Sequence, residues 1–239
     1  MPAIEIKDLE KKYKDKVAVN KISFVINDGE LFSLLGVNGA GKTTTIKMLS
    51  CLTKPTSGDA LIFGNSIIGN PYEVKRLISI SPQETAIAGN LTVKENLDFI
   101  AGIYQVKDEK SKVEKILKEL NLDKVSSQKT KTLSGGYQRR LSIAMALITE
   151  PKVLYLDEPT LGLDVIARRE LWDVIKSLKG KITIILTTHY MEEAENLSDR
   201  VAIMSNGKIN IIDTPKNIIK ASCSKTFEDA FIEFAKEVK

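Results

Sequence analysis

The chain has 239 residues, is 43% hydrophobic and 28% charged, and carries a formal net charge of +4. This is the composition of a water-soluble globular protein with apolar material enough for a core, and its slight, scattered basicity argues against a nucleic-acid patch. No stretch approaches eighteen uncharged apolar residues, the charged start "MPAIEIKDLEKKY" is no signal peptide, and Cys51 and Cys223 lack metal or redox spacing, so a reduced, cytoplasmic protein without its own membrane span is expected.

In chain order, "IEIKDLEKKY" (4–13), "VAVNKISFVI" (17–26) and later "DALIFG" (59–64) predict an antiparallel β subdomain. "ELFSLLG" (30–36) reads as a buried strand, followed by a Gly-rich turn and a helix "KTTTIKMLSCL" (42–52). Residues 84–150 read as mostly helical, with helices in "VKENLDFIAGIYQV", "EKSKVEKILKELNL" and "YQRRLSIAMALIT". "VLYLDEP" (153–159) is a second buried strand, and the helix "IARRELWDVIKSLKG" (166–180) puts Leu171, Val174, Ile175 and Leu178 on one face. "ITIILTTH" (182–189) is a third strand, leading into a helix "YMEEAENLSD" (190–199). "VAIMSNGKINIID" (201–213) is a hairpin turning at Asn206-Gly207, and "KTFEDAFIEFAKEVK" (225–239) is an amphipathic terminal helix.

Strands alternating with helices imply an α/β fold with a parallel sheet, whose ligands bind at the carboxyl ends of the strands. One domain is expected, with a core over 1–83 and 151–216 that includes the β subdomain, a helical insertion over 84–150, and a tail over 217–239.

"GVNGAGKTT" (36–44) fits the phosphate loop G-x-x-x-x-G-K-[ST] at Gly36, Gly41, Lys42 and Thr43, and lies between a predicted strand and a predicted helix. The loop Asn38, Gly39, Ala40, Gly41, Lys42, Thr43 and Thr44 offers backbone N–H groups and a helix N-terminus to phosphate oxygens. Lys42 adds a full charge, and the Thr43 hydroxyl is placed to ligate Mg²⁺. Asp157 ends an apolar strand, where an unpaired charge is costly and a metal gives it a reason. Glu158 follows it and can polarise a water, a kind of base catalysis worth ~10²–10⁴-fold; a helix-capping or surface role is the competing reading. His189, the only histidine, reaches the same edge of the sheet. "LSGGYQRR" (133–140) opens a helix with two glycines, so Ser134, Gly135 and Gly136 form a second anion-receiving turn, or, more plainly, Ser134 is an N-cap.

The ordered set of phosphate loop, "SPQE" (81–84), "LSGG" (133–136), "VLYLDEP" (153–159), "LGLD" (161–164) and "TTHYMEEAE" (187–195) resembles the nucleotide-binding subunit of an ABC transporter over essentially the whole chain. The resemblance implies a P-loop ATPase that uses ATP and Mg²⁺. It makes Glu158 the catalytic carboxylate, His189 the switch histidine and Asp157 a metal-binding aspartate. Gln83 becomes the glutamine that contacts Mg²⁺ or water and senses the membrane subunit. Tyr13 becomes the aromatic residue that stacks on adenine, against the alternative of an ordinary strand-end tyrosine. Asp164 lies across a dimer interface, and Ser134, Gly135 and Gly136 close on the ATP held by a second ATPase subunit, identical or different. Separate transmembrane permease subunits, a peripheral place on the cytoplasmic face of the membrane and no nucleic-acid partner follow from it. The details of "TTHYMEEAENLSDRVAIMSNGKI" and "TFEDAFIEF" resemble the branch serving drug, sodium or polymer exporters. The chain departs from the pattern at Val37, Tyr137 and Leu161. The alternative is a soluble ABC-type ATPase acting on ribosomes or nucleic acid, disfavoured by a single phosphate loop and the lack of a heptad run. A GTPase or small-molecule kinase is disfavoured by the lack of an N-K-x-D segment.

Overall fold

A computed structural model of the chain describes residues 2–236. Strands β1 (Pro2–Tyr13) and β2 (Lys16–Asn27) form a long antiparallel pair. In β2, Ile22, Phe24 and Ile26 are buried while Ser23, Val25 and Asn27 are exposed, the period of a sheet covered on one face. Strand β3 (Leu31–Leu35) is buried at every residue and runs through a loop into helix α1 (Lys42–Leu49). Strands β4 (Ser57–Ile62) and β5 (Asn65–Ser66) then extend the first sheet, in the order β2-β1-β4-β5.

Helix α2 (Pro71–Leu77) leads directly into strand β6 (Ile78–Ser81). The helical segment follows, with α3 (Val93–Ile103), α4 (Glu109–Glu119) and α5 (Gly135–Leu147). A full capping box at Thr92 and Glu95 starts α3. The chain then alternates: β7 (Val153–Asp157), α6 (Val165–Leu178), β8 (Thr183–Thr188), α7 (Met191–Leu197) and β9 (Arg200–Ser205). Strand β10 (Lys208–Asp213) and helices α8 (Pro215–Ala221) and α9 (Phe227–Ala235) complete it. The second sheet has the order β10-β9-β3-β8-β7-β6; its pairs from β9 to β6 are parallel, and β10 pairs antiparallel at the edge.

Strand parity divides the core. Leu154, Leu156, Ile184 and Leu186 face the helical side, where they pack with Leu141 and Ile143 of α5 and Leu171, Val174 and Ile175 of α6. Val153, Tyr155 and Ile185 face the other way, onto Ile46, Met48 and Leu49 of α1 and Ala60 and Ile62 of the antiparallel sheet. Each such side chain contributes about 1.5–3 kcal/mol on burial. Because β3, β7 and β8 run parallel as neighbours, the loop after β3, Asp157 and Thr188 end at the same edge of the sheet. The α/β fold, the antiparallel β subdomain and the inserted helices are as expected.

Several elements differ from the sequence reading. Helix α1 stops at Leu49, short of Leu52, because Cys51 turns left-handed (φ 57°) and the N–H groups of Leu52 and Thr53 both return to the Lys47 carbonyl. Helix α5 begins at Gly135, two residues early, so both glycines lie within it. Helices α2 and α8 and strand β6 were not predicted: the two helices have seven residues each and β6 four, too short for periodicity to register. Asn206 (φ 47°) and Gly207 (φ 76°) make the expected hairpin turn. The terminal helix spans 227–235, and the end of its predicted range, 237–239, lies outside the described residues. Among the described residues no helix is long and apolar enough to cross a membrane.

Candidate active site

The loop after β3 is shaped by what surrounds it. A side chain at Gly36 would come 2.3 Å from the Met204 carbonyl oxygen, so β9 leaves room there for hydrogen only. Gly41, the N-cap of α1, has φ 111° and lies so close to the Ala18 carbonyl that a Cβ would sit 2.4 Å from it. With the loop wound this way, Lys42 begins α1 and is 6% exposed. Its Nζ donates to the Gly36 carbonyl at 2.7 Å and to the Val37 carbonyl at 3.3 Å, and lies 3.3 Å from Glu158 Oε1.

Glu158 is buried and has a left-handed backbone (φ 49°), which is uncommon for a side chain of its size. Its N–H is held by both the carbonyl and the hydroxyl of Thr187, each at 3.1 Å. Backbone strain of this kind persists where surroundings over-determine it and points to a functional position. The second carboxylate oxygen, Oε2, lies 2.5 Å from His189 Nδ1. The carboxylate is thus gripped on one side by Lys42, at the end of the loop after β3, and on the other by the histidine that follows β8. The His189 ring also lies tilted by 39° against Tyr190, at 4.1 Å between ring centroids.

Thr43 Oγ1 donates to Asp157 Oδ1 at 3.2 Å, and the same oxygen accepts from Thr187 Oγ1. Thr43 and Gln83 line one pocket, and Asp157, bonded to Thr43 just behind it, adds a carboxylate; hydroxyl, amide and carboxylate oxygens are donors of the kind Mg²⁺ takes. The pocket itself encloses about 300 Å³ and is lined by Tyr13, Lys16, Ala18, residues 38–44, Gln83 and Glu158. Tyr13 is half-exposed at the end of β1, with the Lys11 ammonium 5.0 Å from its ring centroid.

Ser134, Gly135 and Gly136 line none of this pocket. Ser134 occupies the N-cap of α5 with extended backbone, yet its hydroxyl makes no capping hydrogen bond. Capping therefore does not account for the serine. Ser134 and Gly135 are exposed, and Gly136 is packed so tightly that a Cβ there would meet Ala167 at 3.0 Å. Asp164 also lies outside the pocket; its Oδ1 caps α6 by accepting from Ile166 and Ala167 N–H at 2.9 Å each. Beside it Leu161, Val165 and Ile166 expose apolar surface, as does Val37 on the loop after β3.

Sequence reasoning missed three contributors. Thr187 orients both Asp157 and Glu158, and its signal was a pair of threonines at the end of an apolar strand. Arg139 is buried on α5 and bonded to the loop of Gln83, an arginine in helical register with the buried Gly136. Glu193 of α7 is fully buried and accepts from Trp172 Nε1 at 3.2 Å. Burial pushes the Glu193 carboxyl above the usual carboxylate range; the neighbouring Thr188 and Thr160 hydroxyls and the Trp172 N–H counter this, and the Glu158 charge adds to it.

Since the folded value is raised, the stability Glu193 contributes is complete below the ordinary carboxylate pKa and is lost as pH rises through the raised one. Glu193→Gln, neutral at every pH, should therefore gain in melting temperature relative to the parent between about pH 5 and about pH 8. An equal difference at both pH values would count against the raised value.

Comparison with known proteins fits this geometry. A family model described as "ABC transporter" matches residues 19–161. The chain is 38% identical over 238 residues to the "Probable multidrug ABC transporter ATP-binding protein YbhF" of Escherichia coli (strain K12), covering 96% of this chain and 41% of that protein. It is 42% identical over 212 residues to the human "Phospholipid-transporting ATPase ABCA3", covering 86% of this chain and 12% of that one. The chain thus spans well under half the length of these relatives. A solved "ATP binding subunit of ABC transporter" superposes with a TM-score of 0.86 at 29% identity, over 98% of this chain and 100% of its own. A second structure, the ADP conformation of an ATP-binding cassette of an ABC transporter, gives 0.84 at 26% identity over 97% and 99%. Matched across most of its length in sequence and across nearly all of it in fold, the chain belongs to the ABC transporter family and carries that family's ATP-binding ATPase cassette.

Proposed function

We propose that the chain hydrolyses ATP as one half of a head-to-tail pair and that each cycle drives transport through separate transmembrane subunits. The observation that carries the pairing is the split of the anion-receiving parts. One turn lines the pocket with Lys42, and the other, with an uncapped Ser134, faces solvent outside it. Exposed Val37, Leu161, Val165 and Ile166 give a second chain apolar surface to cover.

In this reading Tyr13 stacks on adenine, residues 38–44 wrap the phosphates, and the second chain's Ser134–Gly136 turn closes on the terminal phosphate. Thr43, Asp157 and Gln83 would hold Mg²⁺, directly or through water, and the ion supplies charge neutralisation at the phosphate oxygens. Lys42 changes partners: phosphate oxygens compete with Glu158 for its ammonium. The carboxylate loses its cation as the nucleotide arrives and is freed to meet the attacking water. Glu158 takes a proton from the attacking water, the bond from the terminal phosphorus to the bridging oxygen breaks, and ADP and phosphate result. His189 stays on Oε2 and holds the carboxylate in line. Asp164 keeps the loop before α6 in shape at the contact between chains.

A cavity of about 480 Å³, lined by Pro82, Ile100, Tyr104 and Met145 among others, adjoins the Gln83 loop and supports docking of the membrane subunit against residues 84–150. In this reading the chain works on the cytoplasmic face of the membrane. Export as the direction is supported by the multidrug and phospholipid-transporting names of the relatives. The deciding experiment is turnover per chain across protein concentration. At low concentration it should rise roughly in proportion to the chain present, as mass action requires of a pair. Turnover per chain that is the same at every dilution would sink the paired site.

A further inference from the structure

The loop that carries Gln83 is a wall between two spaces. Gln83 lines the pocket of about 300 Å³ that holds Lys42 and Glu158, and Pro82, one residue earlier, lines the cavity of about 480 Å³ on the other side. What fixes this wall comes from α5. Arg139, 5% exposed, donates from Nη1 to the Pro82 carbonyl and from Nη2 to the Gln83 carbonyl, both at 2.6 Å. Among the described residues no carboxylate pairs with it within 4.0 Å, so the cation is spent on two neutral backbone acceptors. Burial pushes the guanidinium pKa down, and the fields of Asp157 and Glu193 work against that. Two more links run the same way: Ser142 to Ser81 at 2.8 Å, and Thr149, just past α5, to Ser79 at 2.9 Å.

A helix and a strand already packed together would need the hydroxyl links at most. A buried arginine is a costly way to hold a loop, and its planar fork does what a hydroxyl or lysine does not. It fixes two successive carbonyls, hence the orientation of the peptide between them. The same helix opens at Gly135, and Ser134 precedes it, so Arg139 lies little more than one turn from the turn that faces solvent.

We propose that Arg139 is a positioning residue that locks the Gln83 loop to the Ser134–Gly136 turn, so that a displacement on either side of the wall reaches the turn offered to the second chain. This rests on the paired reading above for its functional meaning. The lock itself is a property of one chain.

The test uses the full-length chain with Arg139→Met and Arg139→Lys, measuring kcat, KM for Mg-ATP, the ATP Kd, and amide hydrogen exchange. In Arg139→Met, kcat should fall about 10- to 100-fold, the scale of a small misplacement at a reacting centre, with the Kd within about twofold. Exchange should rise together over 82–86 and 133–137. Arg139→Lys, which keeps the charge but not the fork, should show a smaller fall in kcat and the same paired rise. If Arg139→Met does not fold, the Lys variant decides alone by the same paired readout. The proposal is overturned if kcat stays within about twofold of the parent, if exchange rises over 82–86 alone, or if kcat drops only in proportion to a lost folded fraction. A parent chain that binds ATP without turnover would remove the functional reading, and the exchange readout would still decide the lock.

Discussion

Glu158→Gln should lower kcat by about 10²–10⁴-fold, the usual worth of a positioned general base. It should also leave the chain trapped, in excess Mg-ATP, as an ATP-loaded pair that elutes as a dimer. The geometry explains why both effects belong to one substitution. Glu158 sits between Lys42 Nζ, at 3.3 Å, and His189 Nδ1, at 2.5 Å, with its backbone bent left-handed to reach that place. Gln keeps the shape and an acceptor oxygen for Lys42, whose other contacts, the Gly36 and Val37 carbonyls, are untouched. The stability loss should therefore be well below the ~3–5 kcal/mol typical of stripping one partner from a buried ion pair. What is lost is the basic lone pair and the negative charge. Without the first, the water is not activated; without the second, nothing repels the terminal phosphate, so the loaded state persists. Steady-state kinetics and size-exclusion chromatography with ATP read the two effects separately. A kcat within about tenfold of the parent, or no ATP-dependent dimer, would move the base elsewhere, with His189 the next residue to test.

How far the sequence reached depended on the kind of signal. Buried strands were legible because β3, β7 and β8 are covered on both faces and read as short, mostly apolar runs without a charge inside them. The helix around Leu171, Val174 and Ile175 was legible from its spacing. Strand β6 was not: four residues alternating Ile and Ser at a sheet edge carry too little pattern, although they lead straight to Gln83. The charged members of the pocket declared themselves by type, since a carboxylate at the end of an apolar strand needs a partner. Their supports did not. Thr187 looks like any β-branched strand residue until its hydroxyl is seen between Asp157 and the Glu158 N–H. Arg139 is one of two adjacent arginines that no motif singles out, yet both are buried; its neighbour Arg140 pairs with Glu170 of α6. Motif residues are recognisable because chemistry restricts their type. The residues that position them are restricted only by three-dimensional context.

Gly135→Asp should abolish turnover while leaving ATP binding by the mutated chain unchanged within about twofold, since its own pocket contains none of the turn. The substitution is tolerable within the chain: a Cβ at Gly135 meets only the Leu163 Cδ2, at 3.4 Å, and the position is exposed. Gly136 would be the wrong choice, because Ala167 at 3.0 Å makes any side chain there a packing lesion in α6 as well. The expected size follows from charge. A carboxylate forced within about 4 Å of a phosphate costs about 4 kcal/mol at an effective dielectric of 20, roughly a thousandfold in rate. Two-fold symmetry makes the defect complementable, because each site takes its phosphate loop from one chain and its turn from the other. Lys42→Ala should be inactive for the opposite reason, having a sound turn and a broken loop. An equal mixture of the two inactive variants forms mixed pairs in about half of cases. Each mixed pair has one intact site of two, so turnover should recover to about a quarter of the parent value if the sites act independently. Parallel loss of ATP binding in Gly135→Asp, or full turnover in it, would assign the turn to its own chain's nucleotide or to no nucleotide at all. Then Ser134 would be only the first residue of a helix.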